Sequence, residues 1–402
     1  MRNISSLKND FLGICIPFAY YFCILPDIVE FEKKYYKAVY KFYTVLIYLT
    51  AIACQAGQFI KLYQLFHEED KLWDEIIRNY TTTSIHCFAL IKCAFLRGKV
   101  SGGIFKKILK YEEDVYESDN QDLKSVYQSA LASVRKTRYY LAGIIGVVAF
   151  YIIALAFGEP YHIQKGNETV TVPRLVLSAW TPWGDSFTLS FLTTSLMGGY
   201  LSIFFVVSDM ICYSLIFFGI CQIEVLHFYI GQFSRYSKET QETDGHTKWN
   251  SSRLHQRKCI IIHQQIISYV KDLNDVMKNI MILDFVPSSV QLAGMIYQMV
   301  TYPDILQGIL VSQFVFTLIG RTFIYCNAAS VLAVRSEMIA YAWYETDWTE
   351  MPPDIKKNIL ICITRSQRPL CIWIGNFQNI SLETFLVIMK GAYSYVMLLT
   401  TI

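Results

Sequence analysis

Residues able to do chemistry are plentiful in this chain, but they do not assemble into a catalytic pattern. Seven histidines and 33 acidic residues yield one dense cluster, His67-Glu68-Glu69-Asp70. It lacks the second histidine, one helical turn on, that a metal-protease helix requires, and a solvated charge run accounts for it better. There is no glycine-rich phosphate loop and no G-x-S-x-G elbow. The 11 cysteines form no C-x-x-C pair and no Cys/His spacing suited to zinc, so they read as small buried hydrophobes. No metal, cofactor or enzymatic activity is expected. What remains are ionisable groups set singly into apolar stretches: Lys92, Asp209, Asp284, Arg321 and Lys390. Such groups need a partner or a wet face. Asp209 follows Phe187 by 22 residues, roughly 33 Å along a helix, and is expected at the inner water boundary. Arg321 is expected to pair with an acidic group or to snorkel inward. Leu398 and Ile402 are four residues apart and share a helix face. That face suits lipid or, repeated around an axis, an apolar constriction that gates by dewetting. Lys390 lies about 80° from Leu398 on the helical wheel and flanks the same face.

The stretches that carry these groups decide the class. With 53% hydrophobic and 15% aromatic side chains, the chain exceeds the apolar content of about 45–50% usual for soluble domains. Seven segments are long and apolar enough to span a bilayer: 38–60, 79–97, 139–157, 186–223, 280–302, 305–334 and 381–402. The expected fold is therefore all-α, an integral membrane protein of seven transmembrane helices in a single domain, 1–402. The net charge of +3 is less informative than its distribution, and no nucleic-acid partner is expected. If the N-terminus is cytoplasmic, the inner segments hold 25 Lys and Arg and the outer ones four, which is the bias of the positive-inside rule. The N-terminus is thus expected inside and the C-terminus outside. Residues 11–25 are apolar behind Arg2 and Lys8 but lack a small-x-small cleavage site. They are expected to form an uncleaved helix at the inner interface. Asn167 heads a glycosylation sequon in the outer segment 158–185, a weak signal because four other sequons exist. Residues 231–279 and 335–380 keep apolar residues at helical spacing among charges. They are expected to continue the membrane helices into an inner anchor bundle.

The final 67 residues carry an ordered set of motifs: Ser336-Glu337, Tyr341, Trp343-Tyr344, Lys356-Lys357, Arg365-Ser366-Gln367-Arg368-Pro369, then Leu382, Thr384-Phe385, Lys390 and Ser394-Tyr395. This set resembles the C-terminal signature of insect odorant receptors, ligand-gated cation channels in which the last helix lines the pore. The resemblance in motif is dense here and only architectural elsewhere. It implies a gate at Leu398 and Ile402, with a polar position at Thr401 and with Lys390 beside the pore. It also implies a tetramer held together through the inner bundle, and a location in the plasma membrane of sensory neurons. Gustatory receptors are a nearby alternative, but their last helix resembles Thr-Tyr, five apolar residues and Gln-Phe, whereas Ser394-Tyr395 is followed here by Val-Met-Leu-Leu-Thr-Thr-Ile. A G-protein-coupled receptor would want the opposite orientation, an acidic-Arg-aromatic triplet after the third span and Asn-Pro-x-x-Tyr in the seventh. The segment 232–258 is too short for the long insertion of the universal odorant coreceptor, so a tuning subunit partnered by that coreceptor is the expectation.

A volatile ligand calls for a mostly apolar pocket with a few placed polar groups. The resemblance implies such a pocket in the outer half of the second, third, fourth and sixth spans. Residues there at i, i+3, i+4, i+7 spacing are Tyr80, Ser84, Cys87 and Phe88; Phe150, Ile153 and Phe157; Phe191, Thr194 and Met197; and Ile309, Gln313 and Phe316. Few of them hydrogen-bond strongly, so shape and dispersion would dominate recognition.

Overall fold

Long apolar runs with few helix breakers fold as long helices, because lipid offers no partner for an unpaired backbone group. The structure, a computed structural model of the 402-residue chain, describes residues 11–13, 15–25, 34–68, 73–157, 161–165, 168–172, 175–183, 186–235, 248–301 and 305–401. A short α1, Cys15–Tyr21, precedes α2 (Lys34–His67), α3 (Trp73–Leu96), α4 (Lys99–Glu117) and α5 (Gln121–Ala156). A hairpin of β1 (Tyr161–Lys165) and β2 (Glu168–Val172) follows. Next come α6 (Phe187–Gly231), α7 (Lys248–Thr301), α8 (Ile305–Tyr344), α9 (Pro353–Ser366), the two-residue strands β3 (Trp373–Ile374) and β4 (Gln378–Asn379), and α10 (Leu382–Thr401). The helix α5 starts where the Asn120 side chain accepts from the Leu123 amide at 3.0 Å, satisfying one of the donors a helix start leaves free.

The 45-residue α6 contains no proline, runs unbroken for about 68 Å, and is the axis of the bundle. It is buried almost all round from Val206 to Ile230 and packs against α3, α5, α7 and α8. Five helices, α2 and α5 to α8, are long and apolar enough to cross a membrane. With α3, of 24 residues, and α10, of 20, they make up the seven membrane helices of the fold. The outer faces of α2 and α5 show Leu46, Leu49, Ile52, Phe150 and Ile153, the apolar exterior that lipid requires.

At one end the bundle thickens. The amphipathic α4 turns Ile104, Phe105, Ile108 and Val115 inward, and α9 does the same with Ile355, Ile359 and Cys362. Arg253 on α7 clasps Asp354 on α9 at 2.7 Å, and Gln256 donates to the Ile355 carbonyl at 3.0 Å. The side chain of Asn274 binds the chain leading into β3 at both the Cys371 carbonyl and the Trp373 amide.

The segment 11–25 departs from expectation. It plugs the bundle instead of lying on an interface: Phe11 is fully buried between Tyr127 and Phe218, with ring centroids 6.4 and 5.2 Å away. The reason is polar. The Phe11 amide donates to Glu112 Oε1 at 3.0 Å, and Arg138 donates to the Phe11 carbonyl at 2.5 Å, so helices α4 and α5 hold the turn between them. Gly13 takes the left-handed φ of +45° that the turn needs, and a Cβ there would meet Arg138 Nη1 at 2.8 Å.

Candidate functional site

Between α3, α5, α6, α7 and α8 lies a cavity of about 140 Å³, close to the size that admits benzene in an engineered protein core. Its walls are mostly apolar: Ile85, Ile144, Val148, Tyr151, Leu155, Val206, Met295, Leu310, Val311, Phe314 and Leu318. Polar groups enter from α3 with Arg78, Thr81, Thr82 and His86, from α6 with Ser202, from α7 with Gln298, and from α8 with Thr317 and Arg321. On α3 these residues share an arc of about 140°, which also contains Lys92.

The cavity is roofed by residues 176 and 177 of the segment after the β-hairpin. That segment has no helix of its own and is fastened by hydrogen bonds. The Trp180 amide donates to the Gly57 carbonyl at 2.9 Å, Ser178 donates to Glu75 at 3.0 Å, and Asn79 donates to the Ser178 carbonyl. A Cβ on Gly57 would stand 3.2 Å from the Trp180 carbonyl, so the close approach of α2 to the roof depends on glycine there.

At the opposite end, four ionisable residues from four helices meet. Lys92 Nζ lies 2.5 Å from Asp209 Oδ1 and 2.7 Å from Asp284 Oδ2. Arg321 Nη2 lies 2.7 Å from Asp284 Oδ1, and its Nε donates to Asp209 Oδ2. The hydroxyl of Tyr325 adds contacts to the carbonyl and carboxylate of Asp209 at 3.1 and 3.2 Å. The cluster balances two positive against two negative charges, as a group buried away from water must. Asp209 is fully buried and not at the inner water boundary expected for it, because two cations reach it. Arg321 pairs with acids as anticipated, and its guanidinium sits 4.9 Å over the Phe205 ring. Phe205 and Arg321 both line the cavity, so the cavity's inner end rests on the charge cluster.

None of the thirteen residues selected for the pocket lines this cavity. Tyr80, Phe150, Ile153, Phe157, Ile309 and Phe316 point outward and are exposed. Ser84 accepts from Gln291 at 2.9 Å, while Cys87 and Phe88 are half-buried. Thr194 is buried and donates to the Ser190 carbonyl of its own helix. Phe191 and Met197 pack against the cluster of Val176 and Leu177 beneath the roof, and Gln313, half-buried, adjoins the lining residue Phe314. The four helices named for the pocket do supply walls, joined by α7. The faces differ because α5, α6 and α8 are apolar almost all round within their spans, so apolar spacing does not distinguish a lipid face from a cavity face. The polar stripe on α3 was the available signal.

On α10 the packed stripe is Thr384, Ile388 and Ala392, turned towards α7 and α8. Lys390, on the opposite side, and Leu398, towards the edge of the stripe, are exposed. The Thr401 side chain and all of Ile402 lie outside the described residues, as does Asn167. The helix α7 joins these regions: Met295 and Gln298 line the cavity, Asp284 enters the charge cluster, and Ser289 approaches Gly391 of α10. Between them Pro287 leaves the Leu283 carbonyl without its helical partner.

Comparison with known proteins agrees with this architecture. The chain aligns with the structure of the insect olfactory receptor OR5 from Machilis hrabei with a TM-score of 0.72 at 15% identity, covering 98% of this chain and 97% of that one. The structure of the same receptor in complex with eugenol aligns at 0.71, covering 99% and 98%. In sequence, odorant receptor Or2 of Anopheles gambiae is 28% identical over 182 residues, 45% of this chain and 48% of that protein. Odorant receptor 10 of Aedes albopictus is 29% identical over 182 residues, 45% and 47%. These matches span about half the length of those relatives. The 7tm odorant receptor family profile matches residues 73–393, most of the chain and all of the cavity's walls. The chain belongs to the 7tm odorant receptor family of insects, a family of receptors and not of enzymes.

Proposed function

We propose that this chain is the odorant-binding subunit of a heteromeric cation channel, assembled with the universal coreceptor as a tetramer in the plasma membrane of sensory neurons. The cavity is the odorant site, and the observation that carries the reading is its construction: a roofed, mostly apolar space that rests on Arg321, whose partners reach α7 and through it α10. A ligand that displaces Phe205 or Arg321 changes how α7 is held, and α7 is the main support of the last helix. Leu398, exposed on α10, belongs to the apolar gate, with Thr401, Ile402 and Lys390 beside it. The charge bias of 25 against four supports a cytoplasmic N-terminus, which puts the roof and the gate on the outer side. Exposed Tyr341, Tyr344, Leu360 and Phe377 on the thickened inner end supply apolar surface for contact between subunits.

Co-expression with the coreceptor, a broad panel of volatiles and a cation-current readout test the reading. Current should require both chains and a volatile, and Leu398→Ser should raise leak or alter ion selectivity. Robust odorant currents from this chain alone would exclude the heteromeric assignment. A panel that evokes nothing from well-expressed pairs would exclude the odorant site.

A further inference from the structure

We propose that His86 makes this a receptor for odorants bearing a hydrogen-bond-accepting oxygen, a carbonyl above all, by donating its Nε2–H to that oxygen inside the cavity. The proposal rests on the cavity being the odorant site. His86 is only 6% exposed and lines the cavity from α3. Its Nδ1 lies 3.2 Å from the amide nitrogen of Gln58 and 3.5 Å from the amide oxygen. Taking the shorter contact as the one in which Gln58 donates, we assign Nδ1 as the acceptor and the ring proton to Nε2. Gln58 is itself fully buried on α2, so its side-chain amide meets His86 away from water. Among the described residues no protein atom takes the Nε2–H.

Several of the other polar lining groups are already committed. The hydroxyls of Thr81, Thr82 and Thr317 donate to carbonyls of their own helices at 2.8, 3.0 and 2.8 Å, and Arg321 is held by Asp209 and Asp284. An unmatched N–H facing an apolar space is costly, and a ligand oxygen removes that cost while a hydrocarbon of the same shape leaves it. A neutral hydrogen bond of this kind is worth about a tenfold preference. Hydroxyl-bearing ligands are served through the same lone pairs, so acceptor oxygen is the selected feature.

The probes are methyl ketones of about five to six carbons, close to the benzene-sized guest that such a cavity admits, each matched with the alkene in which =CH2 replaces the carbonyl oxygen. Currents are recorded from the full chain with the coreceptor and normalised to surface labelling. In the wild type each ketone should act at roughly tenfold lower concentration than its alkene. His86→Phe, which keeps ring volume and removes the donor, should bring the ratio close to one by weakening the ketone alone. His86→Gln, with an N–H of similar reach, should retain part of the preference. Gln58→Met, which frees the tautomer, is a second route to the loss should His86→Phe fail to reach the surface. A wild-type ratio near one, an unchanged ratio in His86→Phe or Gln58→Met, or activation by other volatiles but by neither series would overturn the proposal. Val148→Phe, which enlarges a lining side chain on α5, separates the two claims. It should weaken ketones and alkenes alike, and if it changes neither, the cavity itself is not the odorant site.

Discussion

Gly294 stands where α7 crosses α3, and a Cβ there would lie 2.9 Å from Ile77 Cγ2 and 3.7 Å from Thr81 Oγ1. Any larger residue must push α3 away, and Thr81 is a wall of the cavity. Gly294→Val should therefore cost about 1–3 kcal/mol of stability, the usual penalty of overpacking, and reduce ligand responses at matched surface expression. Adding Ile77→Ala should restore both in part, since it removes the atom in the way. A single substitution that behaves as wild type, read by thermal unfolding of detergent-purified protein, would show that the two helices are not in this contact. Residues of this kind are poorly legible in sequence. Gly294 reads as one more small residue in an apolar run, and His86 as one histidine among seven. What distinguishes them is the neighbour across the helix crossing, Ile77 in one case and Gln58 in the other, and neither neighbour is implied by local spacing. Tyr80, Phe150 and Phe316 failed as cavity walls for the same reason, since they match the apolar period but face outward.

At the scale of elements, much more was open to reading. Unbroken apolar runs become α2, α5, α6 and α8, and the turn-rich segment after α5 becomes a hairpin and a roof. The charge cluster was half legible. Lys92, Asp209, Asp284 and Arg321 sit in four different apolar segments and sum to zero, which suggests mutual pairing, but sequence does not say which helices touch. Their energetics are testable. Lys92→Met leaves an unbalanced carboxylate and should destabilise the bundle by about 3–5 kcal/mol. Lys92→Met with Asp284→Leu removes one charge of each sign and should cost much less than Lys92→Met alone. Thermal unfolding of the purified variants gives the comparison. A double variant as unstable as the sum of the singles would mean that Lys92 and Asp284 do not act as a pair. The helix α7 is where such a loss should spread, since Asp284 lies three residues before Pro287, and that stretch lacks one backbone hydrogen bond already.

For the whole molecule, orientation is the property on which the remaining assignments turn. An epitope following Ile402 should be stained on intact cells, and one preceding Met1 only after permeabilisation. The reverse pattern would put the gate and the roof on the wrong side of the membrane. The charge cluster has a further bearing on how the molecule is made. Its members arrive in chain order on the second, fourth, fifth and sixth membrane helices, with signs plus, minus, minus, plus. As each helix leaves the translocation machinery, the running total within the bilayer passes from +1 to 0, then to −1, and back to 0. At no stage is more than one unit left unmatched, a burden of about 2.5–3.5 kcal/mol on insertion scales. The order of the charges along the polypeptide thus gives a timetable for the cluster, which the sixth membrane helix completes before the last helix docks.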